Sequence, residues 1–331
     1  MKAIVYSKYG PPEVLQLQET DKPVPETNEV LVRVRAVSVN YGDVIARNFR
    51  NISRHQFNMP SFLWIMARLG FGLNSPNRKI LGNTFSGEIV SIGNEVKKLR
   101  EGERVFGYTG EKMGTYAEYI CIPENGIVAV GPRNLTHEEA SVLPYGTIMA
   151  LNLLRKSGVR KGQKIIVIGA SGGIGSAAVQ LAKVLFGAEV TGVCGTSCAE
   201  YVKNLGADRV IDYSKEDFTK GNEIYDLVFD VLGKRSFSEY KRMLAPKGTC
   251  FLVSFKTKKL LQMLITPLSG GKKVICSLAV PTRSDLVFIR DLVEEGKIKS
   301  IIDRCFPLEQ ASEAHEYFES GKRKASVVIA V

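Results

Sequence analysis

A glycine-rich stretch in the middle of the chain carries the strongest chemical signal. Residues 164–175 read KIIVIGASGGIG, so an apolar strand leads straight into a turn and then into a helix of small residues. Gly169 permits the tight turn, Gly172 lets the backbone approach a ligand, and Gly175 lets helix and strand pack closely. Backbone N–H groups and a helix N-terminus then point at one spot, which suits a pyrophosphate better than a purely structural turn. The predicted cofactor-binding residues of the turn are Ser171, Gly172, Gly173 and Ile174.

Composition places the chain among ordinary globular proteins. It has 331 residues, 44% of them hydrophobic and 24% charged, which suits two domains. The start, MKAIVYSKYG, lacks the apolar core of a signal peptide, and six scattered cysteines form no disulfide framework. We therefore expect a cytoplasmic setting. The net charge of +11 leaves an anionic membrane surface open as a peripheral contact, but no nucleic-acid-binding module is visible.

The pattern of strands and helices predicts two domains of the α/β class. Residues 1–125 hold short β-like segments between Gly, Pro and Asn breaks, which favours a barrel-like antiparallel domain. A helix is predicted at about 137–157. From there to about residue 280, strands and helices alternate, which predicts a doubly wound parallel sheet. A helix at 284–296 follows, and the final strand, ASVVIAV, is expected to rejoin the first domain. The predicted boundaries are 1–125 with 282–331, and 126–281.

Several motifs in a fixed order bring a known family into view. The chain contains, in sequence, MKAIVYSKYGPPEVLQL, VSVNYGDVIAR, ILGNTFSGEIVSIGNEV, EGERVFGY, LPYGTIMALNLL, LGADRVIDY and FPLEQASEAHEYFESGKRKASVVI. With them it resembles the medium-chain dehydrogenase/reductase superfamily, in its zinc-free quinone-oxidoreductase-like branch. The resemblance implies a GroES-like catalytic domain, a Rossmann domain, NAD(P)H-dependent hydride transfer and, usually, a homodimer.

The resemblance also implies where the reaction takes place. It places Asn40 beside the nicotinamide and the substrate, and Thr147 against the nicotinamide half of the cofactor. Negative charge that develops on a substrate oxygen needs a donor, and Tyr41 is one candidate beside a packing role. Asp43 is interpreted as structural. Further cofactor contacts are expected after two strands of the Rossmann domain, at Leu232, Gly233, Ser254 and Phe255.

No set of zinc ligands is visible in the sequence. Where zinc alcohol dehydrogenases carry a cysteine, this chain reads Ser38–Val39–Asn40, and where they carry Gly-His-Glu it reads Gly82–Asn83–Thr84. None of His55, His137 and His315 pairs with a cysteine at ligand spacing. Because an unactivated carbonyl is hard to polarise without a Lewis acid, the chemistry favours acceptors that are already electrophilic, such as quinones and enones.

The residues after the second Rossmann strand favour NADPH over NADH. NAD-dependent enzymes carry Asp or Glu there to bind the ribose 2′-hydroxyl. This chain has Gly195, Thr196 and Ser197, whose hydroxyls suit a 2′-phosphate or cap the next helix. Tyr213 or Lys203 could reach the adenosine end, and the family resemblance places Tyr213 near that pocket.

A rival family shares part of the glycine pattern. Gly169, Gly173 and Gly175 also fit the turn of short-chain dehydrogenases. That family needs a downstream Tyr-x-x-x-Lys pair, and here the spacing occurs only upstream, at Tyr108 and Lys112. The sequence therefore favours a zinc-free, NADPH-dependent reductase of small hydrophobic quinones or enones. An alcohol or aldehyde reductase and a non-catalytic cofactor-binding scaffold remain as alternatives.

Two further features give expectations about assembly and the substrate. The segment KKVICSLAV is predicted to form the last strand of the sheet and to join a homodimer along residues 273–280. Segments 59–73 and 256–273 have apolar residues at near-helical spacing among basic ones. We expect them to form an apolar roof over the substrate. Packing on the surface of their own domains and lying on a membrane surface are the alternatives.

Overall fold

The chain folds into two compact units. The computed structural model describes residues 1–54, 56–269 and 271–331, so His55 lies outside the described residues. The first unit comprises residues 1–53, 66–148 and 281–331, and the second comprises 54–65 and 149–280. Two helices, α2 (Ser61–Phe71) and α3 (His137–Ser157), carry the chain from one unit to the other.

The first unit is rich in strands. Its strands and shorter helices are β1 (Lys2–Val5), β2 (Gln16–Glu19), β3 (Glu29–Ser38), α1 (Tyr41–Arg47), β4 (Thr84–Ile92), β5 (Arg104–Tyr108), β6 (Tyr119–Pro123), β7 (Ile127–Val130), α8 (Arg283–Glu294), β14 (Ile302–Pro307), α9 (Ala311–Glu319) and β15 (Ser326–Ala330).

A seven-stranded sheet forms the body of the first unit. Its order is β14-β15-β3-β4-β5-β7, with β6 also on β3. All its pairs are antiparallel except β14 with β15. The last strand lies against β3, with Val328 opposite Ser38, as predicted. Alternating apolar residues such as Val32, Phe85 and Ile89 fill the core on one face of this sheet.

The predicted domain boundary at residues 125 and 126 differs from the division in the structure. β7 begins at Ile127 and pairs with β5, so this stretch completes the sheet of the first unit. Residues 54–65 join the second unit instead, where Met59 packs against the core. Pairing across a sheet and packing on a distant core are long-range contacts, which local strand and helix patterns do not encode.

The second unit is a three-layer α/β fold. Its elements are β8 (Lys164–Ile168), α4 (Gly173–Phe186), β9 (Glu189–Cys194), α5 (Ala199–Asn204), β10 (Arg209–Asp212), β11 (Tyr225–Asp230), α6 (Phe237–Met243), β12 (Leu244–Leu252), α7 (Thr257–Ile265) and β13 (Lys273–Cys276).

All six strands of the second unit run parallel, as predicted. Their order is β10-β9-β8-β11-β12-β13, the arrangement of a doubly wound dinucleotide-binding sheet. The chain direction across the sheet reverses between β8 and β11, so the crevice at their carboxyl ends is the place for a ligand. The edge strand β13 ends at Cys276, shorter than the predicted 273–280, because residues 277–282 form no regular element.

The two basic, apolar segments each contain a helix. Segment 59–73 holds α2, and segment 256–273, of which Gly270 lies outside the described residues, holds α7. Both helices leave large apolar side chains in solvent, including Met66 at 63% exposure and Leu264 at 68%. Among the helices of the described residues, none combines the length and apolar character needed to cross a bilayer.

Candidate cofactor and substrate site

The glycine-rich turn between β8 and α4 has the geometry of a phosphate cradle. Gly169 adopts φ +83°, a conformation that glycine allows and other residues resist. A Cβ at Gly175 would lie 2.0 Å from the carbonyl oxygen of Gly169, so only glycine lets the helix approach the turn. At Gly172 the nearest such contact is 3.5 Å and φ is ordinary. The fold itself therefore leaves room at Gly172 for a side chain, in the space where a pyrophosphate would lie at the helix N-terminus.

A buried carboxylate organises the loop that follows β11. The Oδ1 atom of Asp230 accepts the backbone N–H groups of Leu232 and Gly233, both at 2.9 Å. Its Oδ2 atom accepts the hydroxyl of Tyr240 at 2.7 Å. Burial raises the pKa of Asp230, and these hydrogen bonds oppose that shift. Gly233 has φ +65°, so the loop turns sharply away from the strand.

Three strand ends meet at this edge of the parallel sheet. The side chain of Leu232 lies 3.0 Å from where a Cβ at Gly169 would be, and the carbonyl of Ser254 lies 2.2 Å from the corresponding position at Gly233. Asn58 donates its side-chain amide to the Leu232 carbonyl at 2.5 Å. The structure thus brings the predicted turn, Leu232, Gly233 and Ser254 together. The Phe255 side chain is instead buried in the core of the second unit.

At the end of β9, the second strand of the parallel sheet along the chain, the Thr196 hydroxyl is already engaged, which differs from its predicted role as a donor to a 2′-phosphate. The Thr196 hydroxyl donates to the Asp212 carboxylate at 2.5 Å, so its proton is already engaged. Hydrogen bonds from Ser214 and Thr196 lower the pKa of Asp212. The Tyr213 ring is 61% exposed, and its hydroxyl lies 3.1 Å from where a Cβ at Gly195 would be. The structure therefore groups Gly195, Thr196 and Tyr213.

Two other predicted residues of this region have partners elsewhere. The Lys203 ammonium group donates to the carbonyl of Asp208 at 2.8 Å. The Ser197 hydroxyl lies 3.8 Å from the Cys198 sulfur. The acid at the end of β10, Asp212, was not predicted as a site residue, although it is the only carboxylate in the quoted LGADRVIDY motif besides Asp208.

The first unit holds a separate cluster of buried polar side chains, the Asn40 cluster, which consists of Ser38, Asn40, Asp43 and Asn83. The amide nitrogen of Asn40 donates to the Asn83 side-chain oxygen at 3.0 Å and to the Ser38 carbonyl at 3.1 Å. Both amide hydrogens are then engaged, and the Asn40 Oδ1 atom remains as an acceptor. Asn83 directly precedes β4, so this contact joins residues far apart in sequence.

Asp43 anchors the start of α1 beneath Asn40. Its Oδ2 atom accepts the backbone N–H of Asn40 at 2.9 Å, which caps the helix. The side chain is fully buried, and burial raises its pKa to about 7, against the lowering effect of its hydrogen bonds. This geometry agrees with the structural role interpreted from the sequence.

A chain of buried polar groups runs away from Asp43. Arg47 donates to His315 Nδ1 at 2.8 Å, and Tyr116 lies 3.0 Å from His315 Nε2. Because a guanidinium group only donates, the His315 proton is on Nε2, so the Tyr116 hydroxyl oxygen accepts it and its own proton faces Asp43 at 3.4 Å. Burial lowers the pKa of His315 to about 3. Glu319 pairs with Arg47 at 2.5 Å.

Tyr41 and Thr147, the other predicted residues of the first unit, differ in what they can do. Tyr41 is 65% exposed, and within the described residues its hydroxyl has no hydrogen-bond partner. The Thr147 side chain is buried in α3 and donates its hydroxyl to the Leu143 carbonyl at 2.5 Å. Tyr41 could therefore donate a proton. The Thr147 hydroxyl can only accept a hydrogen bond, and its methyl group can contact a ligand.

The residues present fit a nicotinamide dinucleotide, and they do not form a metal site. The open space at Gly172 and the rigid loop at Leu232–Gly233 lie where a dinucleotide needs backbone contacts. In residues 1–54, 56–269 and 271–331, no three His, Cys, Asp or Glu side chains converge on a metal position. His137 instead bonds to the Ser86 hydroxyl, at 2.9 Å.

Known proteins resemble both parts of the chain. Residues 26–132 match the family described as alcohol dehydrogenase GroES-like domain, and residues 205–329 match that described as zinc-binding dehydrogenase. The 2-methylene-furan-3-one reductase of Solanum lycopersicum is 32% identical over 99% of this chain and 79% of its own length. The NADPH-dependent alkenal/one oxidoreductase, chloroplastic, of Arabidopsis thaliana is 30% identical over 99% and 79%.

A solved structure extends the similarity to the whole fold. The quinone oxidoreductase from Coxiella burnetii superposes with a TM-score of 0.84, at 28% identity, over 100% of this chain and 99% of that one. The parallel sheet, the glycine turn and the GroES-like unit define an oxidoreductase that uses a nicotinamide cofactor. The chain belongs to the medium-chain dehydrogenase/reductase superfamily, in its quinone-oxidoreductase-like branch.

Proposed function

We propose that this protein is a zinc-independent, NADPH-dependent reductase of quinones or α,β-unsaturated carbonyls. The bond between the Asn40 and Asn83 amides carries this proposal, because these positions hold the metal ligands in zinc alcohol dehydrogenases. Amide and hydroxyl groups that are already bonded to one another make poor zinc ligands. The printed names of the similar proteins support the substrate class, since they are reductases of a methylene-furanone, of alkenals and alkenones, and of quinones.

The side chains and backbone of this protein would bind the cofactor and supply the proton that the reduced substrate takes up. Bound NADPH would supply the hydride. The glycine turn would hold its pyrophosphate through backbone N–H groups, and Leu232 and Gly233 would contact its ribose through a loop that Asp230 keeps rigid. Asn40 would accept a hydrogen bond from the nicotinamide or the substrate, because its donor hydrogens are engaged. Tyr41, with its exposed hydroxyl, would give the proton that the enolate or the hydroquinone anion takes up after hydride transfer.

The preference for NADPH follows from the groups near the end of β9. Gly195 presents no carboxylate to a ribose hydroxyl, and the exposed Tyr213 hydroxyl lies beside Gly195, where it could donate to a phosphate. The Asp212 carboxylate is already satisfied by Thr196 and Ser214, which limits its use as a ribose acceptor. One of the similar proteins is itself named as NADPH-dependent.

Steady-state oxidation of NADPH with a panel of acceptors tests this proposal. We expect turnover with quinones and enones, much slower turnover with unactivated ketones and aldehydes, and no change after treatment with a chelator. Elemental analysis should find no stoichiometric zinc. Turnover with simple aldehydes or loss of activity with the chelator would favour the alcohol dehydrogenase alternative. Tight NADPH binding with no turnover of any acceptor would favour a non-catalytic scaffold.

Assembly as a homodimer remains a prediction. β13 is the last strand of the parallel sheet, and its outer edge has no partner strand within the described residues. Leu278 and Val280, which follow it, are 48% and 64% exposed. An unpaired edge next to apolar residues suits pairing with a second copy. Light scattering at micromolar concentration should give twice the mass of one chain.

A further inference from the structure

The acidic residues of this chain avoid two long segments. Residues 44–87 and 240–284 contain none of the 34 Asp and Glu residues, although they hold 15 of the 45 Lys and Arg residues. The rest of the chain carries 30 basic and all 34 acidic residues, a net charge of −4. The overall charge of +11 therefore comes entirely from these two acid-free segments.

Each acid-free segment also contains a helix with an exposed apolar stripe. The α2 stripe consists of Phe62, Ile65, Met66 and Leu69, at 57%, 52%, 63% and 61% exposure. The α7 stripe consists of Leu261, Leu264, Ile265 and Leu268, at 57%, 68%, 63% and 86% exposure. In α2 the spacing i, i+3, i+4, i+7 places the four side chains along one side of the helix. In α7 the same spacing places Leu261, Leu264 and Ile265 on one side, and Leu268 follows in the short 3-10 helix of residues 266–269.

The α7 stripe is separate from the face that holds this helix on the sheet. Leu260 and Met263 pack against the core of the second unit, and the Cys276 backbone N–H contacts the Met263 sulfur at 3.2 Å. The helix is therefore already anchored without its stripe. Large apolar side chains at such exposure are costly in water and mark an interaction surface when they are contiguous.

Basic groups lie at both ends of the α7 stripe. Lys258 lies exposed in the first turn of α7. At the other end, Lys272 donates to the Lys241 carbonyl at 2.8 Å, and both residues line one cavity together with Thr266, which follows the helix directly. In the acid-free segment that contains α2, Arg54 and Lys79 are exposed. An apolar stripe that lies in a basic, acid-free segment of the chain is complementary to a bilayer with anionic headgroups.

We propose that the α2 and α7 stripes are contact sites for the surface of an anionic lipid bilayer. The apolar side chains enter the boundary between headgroups and acyl chains, and the lysines and arginines lie at the level of the headgroups. Attraction to the negative surface adds to apolar burial, so contact requires both. This inference does not depend on which acceptor the protein reduces.

Sedimentation with vesicles tests the proposal on the full chain. Vesicles of phosphatidylcholine alone are compared with vesicles containing about a third of phosphatidylglycerol. We expect the protein to sediment with the anionic vesicles only, and to be released by high salt because exposed charges are screened. Failure to sediment with either vesicle would overturn the proposal.

Variants of each stripe separate apolar insertion from simple charge attraction. The first variant combines Leu261→Ser, Leu264→Ser and Leu268→Ser, and the second combines Phe62→Ser, Met66→Ser and Leu69→Ser. Each should weaken binding to anionic vesicles at least tenfold. Val24→Ser, at a position 84% exposed outside both segments, is the matched control and should bind as the parent does. If either stripe variant binds as tightly as the parent, that stripe is not a contact site.

Charge variants keep the test informative if a serine variant folds poorly. Lys258→Glu combined with Lys272→Glu should weaken binding more than roughly 25-fold, at about fivefold for each lysine lost from the surface. Lys97→Glu with Lys98→Glu, exposed outside the acid-free segments, is the control. Equal losses in the two charge variants would overturn a localised site. A lower oligomeric state in the stripe variants, with unchanged vesicle binding, would assign the stripes to a second copy instead.

Discussion

The glycine turn of the second unit and the Asn40 cluster of the first unit are built in opposite ways. The turn is made of backbone, and its shape depends on where a Cβ is absent. The Asn40 cluster is made of buried side chains that hold one another through hydrogen bonds between distant parts of the sequence. A single added carbon can therefore destroy the turn, whereas the cluster fails by losing a partner.

This difference predicts different responses to mutation, pH and cofactor. A backbone cradle has no titratable group, so its occupancy should depend little on pH. The cluster adjoins Asp43 and His315, whose pKa values are shifted in opposite directions from those of free side chains. The predictions that follow probe this contrast from the largest expected effect to the smallest.

Replacing Gly175 by alanine should have the largest effect. The new Cβ would lie 2.0 Å from a backbone oxygen that cannot move aside, so we expect a loss of about 3 kcal/mol of unfolding free energy and of cofactor binding. Gly172→Ala should leave the Tm unchanged and raise the Kd for NADPH about tenfold, because its Cβ meets only the ligand space. Thermal unfolding and fluorescence titration measure the two effects.

The control for this pair is Gly221→Ala. Its Cβ would have no neighbour closer than 3.9 Å, and it lies in the same unit away from the turn. It should match the parent in both assays. Equal stability of the Gly175 and Gly172 variants would contradict the steric argument.

The pH dependence of stability should separate Asp43 from His315. The folded chain takes up the second ring proton of His315 only near pH 3, while the unfolded chain takes it up near pH 6.5, so this group costs stability as pH falls below 6.5. The Asp43 carboxyl has a folded pKa of about 7, raised from 3.8, so the folded state holds its proton more tightly than the unfolded state. This group therefore stabilises the folded protein at low pH, and its contribution is lost as pH rises towards 7. Between pH 7 and 5 the two trends oppose each other.

Two variants expose the separate trends. On acidification from pH 7 to 5, His315→Gln should gain stability and Asp43→Asn should lose it, each by on the order of 2 kcal/mol relative to the parent's own change. Urea unfolding at several pH values gives these slopes even if both variants start less stable. Parallel slopes for the two variants would contradict the assigned protonation states.

Changing the cofactor pocket should have a moderate effect. In Gly195→Asp, the carboxylate would repel a 2′-phosphate and accept a ribose hydroxyl, so the Kd for NADPH should rise about tenfold and that for NADH should fall. The new Cβ also lies 3.1 Å from the Tyr213 hydroxyl, which must shift. Gly195→Ala introduces the same contact without charge and serves as the control. The same NADPH preference in the Asp and Ala variants would argue against an electrostatic cause.

Removing the Asn83 amide should have the smallest effect. Asn83→Ala deletes the acceptor at 3.0 Å from Asn40 Nδ2, so we expect a loss of about 1 kcal/mol of stability. The Asn40 side chain would then be less well oriented, and kcat should fall severalfold while the Kd for NADPH is unchanged. Asn94→Ala, at an exposed position after β4, is the control. A change in the Kd for NADPH as large as the change in kcat would mean that Asn83 acts on cofactor binding and not only on the orientation of Asn40.

Patterns that are local in sequence allowed much of the second unit to be predicted. The strand, the glycine turn and the helix are consecutive, and steric limits on φ and on helix approach fix their shape whatever surrounds them. The same locality allowed all six parallel strands to be recognised. The sequence also contains the two acid-free segments, which the net charge does not reveal and which become visible only when the acidic residues are mapped along the chain.

The tertiary structure alone decided how the polar groups are satisfied. The sequence does not reveal that the Asn40 amide donates to Asn83, that the Thr196 hydroxyl donates to Asp212, or that the Asn58 amide donates to the Leu232 carbonyl. Nor does it give the line of groups from Arg47 through His315 to Tyr116. Each of these contacts joins residues far apart in the chain. A buried polar group must find a partner, but which one it finds depends on the packing of the whole unit.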